Sequence, residues 1–183
     1  MAVRRKVIRR LVEDLLAKNG IENAPVPVDE IADKESVDVR YEATDDDGLS
    51  GFLLRGPAVP GELRAIIGVN KYHHVNRQRF SIAHELGHLL LHAAGEEVHV
   101  DRDTVFRVKR RDSESSKGTD PDEREANAFA AELLMPASFL LRDLEDIEVL
   151  EDSNSAVADL ASRYGVSQQA LMIRLANLGY RFE

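Results

Sequence analysis

The chain has 183 residues, the size of one ordinary domain, and 43% of them are hydrophobic, which supplies a core and excludes disorder as the default state. It has no cysteine, so disulfides and thiolate metal sites are excluded and any bound metal must take His, Asp or Glu. With 24 Lys+Arg against 33 Asp+Glu the net charge is −9, a balance repelled by phosphate backbones except where basic residues cluster.

In chain order, MAVRRKVIRRLVEDLL is basic and then apolar, but Arg9, Arg10, Glu13 and Asp14 interrupt the apolar run, so a signal peptide is not expected. No stretch approaches the roughly 18 apolar residues of a membrane span. A soluble, cytoplasmic protein with no membrane partner is the expectation. Val7, Ile8, Leu11, Val12, Leu15 and Leu16 recur at helical spacing, and Asn19-Gly20 supplies a stop. Arg4, Arg5, Lys6, Arg9 and Arg10 gather on or beside this helix and read as a solvated face, so direct nucleic-acid binding is not expected. PVPVDEIADK reads as a turn into a short helix, and Val37, Val39 and Tyr41 alternate as in a half-buried strand. After the turn at Asp45-Asp46-Asp47-Gly48, GFLLR and AIIGV are two further strands joined by GPAVPGE.

From about Asn76 the character becomes helical. RFSIAHELGHLLLHA is apolar and continuous, with Phe80, Ala83, Leu86, Leu90 and Ala94 able to face a core. A polar stretch follows whose centre, RRDSESSKGTDPD, reads as a mobile loop. Asp120 suits an N-cap and Pro121 a first helical position. The helix DEREANAFAAELL ends at Met135-Pro136, and two or three shorter helices close the chain. The expected class is α+β: a helical core on a small, mostly antiparallel three-stranded sheet, with C-terminal helices. The expected division is a main unit over 1–140 and a helix-turn-helix-like extension over 141–183 packed on it.

His84-Glu85-Leu86-Gly87-His88 is an HExxH sequence. On a helix, imidazoles at i and i+4 lie on one face about a turn apart, as two nitrogens roughly 2 Å from one zinc ion require. Glu85, next to the first ligand, can reach a metal-activated water without binding the metal, the position of a general base. Zinc in such sites takes a third protein ligand and keeps a fourth position open. His92 continues the spacing, but on a straight helix His84 and His92 are about 12 Å apart in rise, too far for one ion. Leu89-Leu90-Leu91 offers no break between them, so His92 falls to packing or to support of the ligands.

Glu123 is the better candidate. Glu123 and Asn127 share a helix face, so Glu123 could bind zinc while Asn127 bonds a ligand imidazole and fixes its tautomer. The competing reading is a capping box, Asp120 with Glu123 reaching back to the N-cap amide, and Glu125 is the rival ligand. Ala126, Ala130 and Ala131, with Gly87 on the other helix, are small enough for a close helix pair. Tyr72, His73 and His74 could polarise a substrate carbonyl, but they read first as a surface loop.

These residues resemble the ImmA/IrrE family of metallopeptidases, on NRQRFSIAHELGHLLLH and EREANAFAAELLMP, with weaker similarity in PVPVDEIA, the Ser50-Gly51 turn and AIIGVN. The resemblance covers most of residues 20 to 140. It implies a gluzincin-like site with His84, His88 and Glu123 as ligands of Zn2+ and Glu85 as catalytic base; a nitrogen/oxygen ligand set accepts Mn2+ as well. It also implies a protein substrate, a helix-turn-helix repressor whose cleavage releases stress-response or mobile-element genes. The loop from about Arg107 to Asp122 looks longer than in the family, and KESVDV lacks a glycine often found before that strand.

VADLASRYGVSQQALMIRLANLGY itself resembles a helix-turn-helix, yet its second helix, SQQALMIRLANL, carries only Arg174 as a cation, so two packing helices is the plainer reading. Docking of the substrate is a third use for the unit. The function expected is an intracellular zinc endopeptidase; the alternatives are a metal-bound anti-repressor that sequesters without cutting and a DNA-binding regulator with a structural metal.

Overall fold

Helix α1 (Arg5–Asn19) ends on Gly20, whose left-handed φ of 66° lets its amide bond the Ala17 carbonyl. Ile8, Val12, Leu15 and Leu16 make its buried row, whereas Val7 lies off that row and is 54% exposed. The structure is a computed structural model and describes residues 3–44, 48–56, 64–92, 98–102, 121–145 and 153–180. The elements after α1 are α2 (Val28–Lys34), β1 (Val37–Glu42), β2 (Leu49–Arg55), β3 (Ala65–Asn70), α3 (Val75–Leu91), β4 (Val98–Arg102), α4 (Pro121–Leu134), α5 (Ala137–Glu145), α6 (Ser153–Tyr164) and α7 (Gln168–Leu178).

The fold is α+β with a helical core. The three expected strands are present, and β4 adds a fourth, in the order β1-β3-β2-β4. Central β3 runs parallel to β1 and antiparallel to β2, and β2 is antiparallel to β4. β4 is VHVDR, which lies within the stretch whose sequence reads as polar. Its place is set by backbone pairing along the edge of β2, Leu54 with Val98 and Phe52 with Val100, which composition does not announce. The expected loop RRDSESSKGTDPD and Asp120 lie outside the described residues up to Pro121.

Helix α3 is buried without interruption from Ser81 to Leu89, which is why its sequence shows little polar alternation. The sheet (β2 and β3) covers one side and α4 another. The helix stops at Leu91, since His92 is already extended at φ −117°. Helices α6 and α7 join the same hydrophobic cluster through Leu160, Tyr164, Leu171 and Leu175. Tyr164, fully buried, donates its hydroxyl to Asp143 Oδ2 at 2.7 Å.

Helices α3 and α4 cross closely at Gly87. A Cβ at Gly87 would lie 3.1 Å from Ala126 Cα and 3.2 Å from the Ala126 carbonyl, and 3.1 Å from Phe129 Cδ1. Ala126 and Ala130 are fully buried there. Gly87→Ala must therefore push the helices apart. We expect a loss of about 1–3 kcal/mol, read as a lower urea midpoint at unchanged slope, with metal uptake reduced alongside.

Candidate metal centre

Gly87 and Ala126 bring the middle of α3 to the first turns of α4, and this places three donors at one point. His84 Nε2 and His88 Nε2 lie 3.0 Å apart. Glu123 reaches over from α4, Oε2 at 3.6 Å from His84 Nε2 and Oε1 at 3.4 Å from His88 Nε2. Among the described residues, His84, His88 and Glu123 form the group that could hold a metal ion, with both imidazoles buried and the carboxylate half-buried. Tetrahedral zinc with ligand bonds near 2.0–2.1 Å separates its ligand atoms by about 3.3 Å. The donor spacing fits.

The protonation pattern fits as well. His84 Nδ1 lies 3.1 Å from Asn127 Oδ1, and a carbonyl oxygen only accepts, so Nδ1 carries the proton and Nε2 turns a lone pair toward the cluster. Helix α4 supplies this geometry by its period, since Glu123 and Asn127 are one turn apart. Glu85 points elsewhere on α3. It is fully buried, outside the cluster of donor atoms, and its carboxylate lies near β2, where a Cβ on Gly51 would sit 3.8 Å from Oε1.

His92 is not brought into the cluster. Its Nε2 sits 3.2 Å from the Asp122 carbonyl and its Nδ1 3.5 Å from Asp122 Oδ1, so it ties the end of α3 to the start of α4. Its ring stands 5.5 Å from that of His88. His74 caps α3, accepting the Asn76 amide at Nδ1, His73 lies 3.3 Å from Asn70 Nδ2, and Tyr72 is exposed.

Glu125 is committed to another partner. Arg4 donates Nε to both its oxygens at 2.9 and 3.0 Å, and the Arg4 amide donates to Oε1 at 3.0 Å. Those bonds outweigh burial and hold the Glu125 carboxyl down at about 2. Arg9 adds a looser contact at 3.7 Å to Glu132, so the basic cluster partly faces α4. Arg55 is a second residue that spacing could not find. From β2 it donates to the His88 carbonyl at 2.7 Å and to the His92 carbonyl at 3.3 Å, closing the C-terminal end of the helix that carries both imidazoles.

A helix pair presenting two imidazoles and a carboxylate, backed by a small mixed sheet, defines the class: an α+β protein with a candidate single-metal centre of the HExxH kind. The chain belongs to the peptidase M78 family, whose model, the IrrE N-terminal-like domain, matches residues 32–176. The match starts later and runs further than the stretch from 20 to 140 on which the resemblance rests, taking in α6 and most of α7. No individually curated protein matches the chain.

The Arg4–Glu125 pair has a signed pH consequence. A carboxyl lowered on folding from 4.5 to about 2 contributes stability above 4.5 that is lost as the pH falls toward 2. Arg4→Ala should be less stable than the parent at neutral pH, and the two should converge through that window. Thermal melts along a pH series read the difference; a constant gap down to the lowest pH would mean that Arg4 acts by packing alone.

Proposed function

We propose that the chain is an intracellular zinc-dependent endopeptidase that cuts a helix-turn-helix transcriptional repressor and so relieves repression. The observation that carries the peptidase reading is the convergence of His84, His88 and Glu123 at one point, with buried Glu85 next to His84 in the chain. Membership of a peptidase family supports it. In this reading His84, His88 and Glu123 hold the ion, and Asn127 keeps the His84 ring in the tautomer that binds. A divalent ion so held supplies Lewis-acid activation of a water molecule near neutral pH. Zinc suits two nitrogens and one carboxylate with an open position, and manganese accepts the same set.

Glu85 is the general base. It takes a proton from the attacking water as the oxygen bonds to the scissile carbonyl carbon. It then delivers that proton to the departing amine nitrogen as the C–N bond breaks. Residues His92 and Asn127 support the ligands rather than the substrate. The repressor as substrate follows from the family resemblance. A cytoplasmic site of action accords with a cysteine-free chain in which no helix among the described residues is long and apolar enough to cross a membrane.

Two substitutions test this. Glu85→Gln should keep full metal stoichiometry by elemental analysis while repressor cleavage drops at least about a hundredfold. If that variant still relieves repression fully in cells, sequestration replaces cleavage as the function. Glu123→Ala should lose most of its metal, and retention of one ion per chain would remove Glu123 from the ligand set.

A further inference from the structure

A cleft of about 670 Å³ opens from the metal cluster, with His84, Glu123 and Asn127 at one end. Five apolar residues line it: Phe80 on α3, stacked on the His84 ring at 6.2 Å, Leu134 and Met135 at the end of α4, Val166 in the turn before α7 and Ala170 in the first turn of α7; polar and charged side chains, Arg77 and Arg124 among them, line the rest. From Glu123 to Leu134 the rise along α4 is about 16 Å. That accommodates four or five residues of extended chain at about 3.3 Å each.

The far wall is fastened from two sides. Arg79 of α3 donates Nε to the Gly165 carbonyl at 3.3 Å and Nη2 to the Val26 carbonyl at 2.9 Å. Gly165 itself is left-handed at φ 62°, and a Cβ there would lie 2.9 Å from Arg79 Nε. From the other side, buried Arg174 of α7 donates to the Met135 carbonyl at 3.1 Å and to Glu132 Oε2 at 2.6 Å. Ser167 caps α7, its hydroxyl accepting the Ala170 amide at 3.1 Å. The wall is therefore set before anything binds, which lowers the ordering cost of binding. In a DNA-reading helix-turn-helix the start of the second helix meets the base edges. Here that end, Val166 to Ala170, faces the metal cleft.

We propose that the α6–α7 turn is the specificity wall of this cleft, seating a bulky apolar side chain of an extended protein substrate within a few residues of the scissile bond. The proposal takes its word substrate from the peptidase reading above, and its test is arranged so that the two can fail separately. The occupant is a stretch of polypeptide because the cleft is continuous with the metal-binding cluster and longer than one side chain. Phe80 from α3 and Ala170 from α7 both line the cleft.

The first measurement is binding, without turnover. Zinc-loaded Glu85→Gln protein is titrated with paired hydroxamates that carry leucine or glycine on either side of the chelating group. On one side the leucine compound should bind at least tenfold more tightly. Ala170→Phe in the same background should abolish that ratio while leaving the glycine compound and the zinc content unchanged. Equal affinities on both sides, or a ratio untouched by Ala170→Phe, overturn the proposal. Should Ala170→Phe fail to fold by circular dichroism, Phe80→Ala serves from the α3 side of the cleft and should extend the preference to tryptophan; an unchanged preference there also overturns it. The second measurement maps cut sites in a peptide library with the zinc-loaded parent chain. Leu, Met and Phe should be enriched near the cut, with a shift to Ala and Gly in Ala170→Phe. If the library is not cut while the hydroxamate preference holds, the peptidase reading fails and the wall assignment stands. Cutting with no apolar preference sinks the wall and spares the peptidase.

Discussion

The approach of α3 to α4 at Gly87 and Ala126 is the constraint on which the remaining structure turns. Two imidazoles on one helical turn make half of a candidate metal site, and a carboxylate from another helix, Glu123, brings the third donor. Helices packed through ordinary side chains sit 8–10 Å apart. A contact of glycine on alanine brings them nearer, and Glu123 then needs only its own length to meet both Nε2 atoms. The sheet behind α3 has a corresponding narrow place at Gly51, where β2 passes beside Ser81 and Glu85. Two glycines on opposite sides of one helix thus admit their neighbours closely enough for the polar groups between to be enclosed.

Much of this was legible in the sequence, and for local reasons. HExxH carries its geometry within one turn, Glu123 and Asn127 within another, and strands β1 to β3 within stretches of alternation bounded by turn residues. Helix ends at Gly20 and around Pro136 were readable from single residues. What escaped was non-local or compositionally plain. β4 owes its place to the edge it pairs with. Spacing favoured Glu123 over Glu125 through the face it shares with Asn127, but it could not say what Glu125 does instead. Arg4, 121 positions away, occupies Glu125.

Arginines provide most of these distant fastenings. Arg4 holds α4 from the side of α1, Arg55 closes the end of α3 from the sheet, and Arg79 and Arg174 secure the α6–α7 turn from α3 and α4. A guanidinium suits the task because it offers five donors in a fixed plane and stays charged. Three of the four bond backbone carbonyls, so they anchor elements by position. A reading based on hydrophobic period sees each of them as a surface cation. Arg174 in particular, the sole cation of the second tail helix, is spent inside the protein on Glu132 and Met135.

The grip of Arg4 on Glu125 has a bearing on what counts as one unit. The family match begins at residue 32, whereas the residue that claims Glu125 lies ahead of it, at the start of a helix whose inner face joins the common core. The stretch shared with relatives is therefore not self-sufficient here. Excised at its homology limits, it would lose the guanidinium to which Glu125 is bonded, two places from Glu123. Kinship and mechanical integrity draw their borders in different places along this polypeptide.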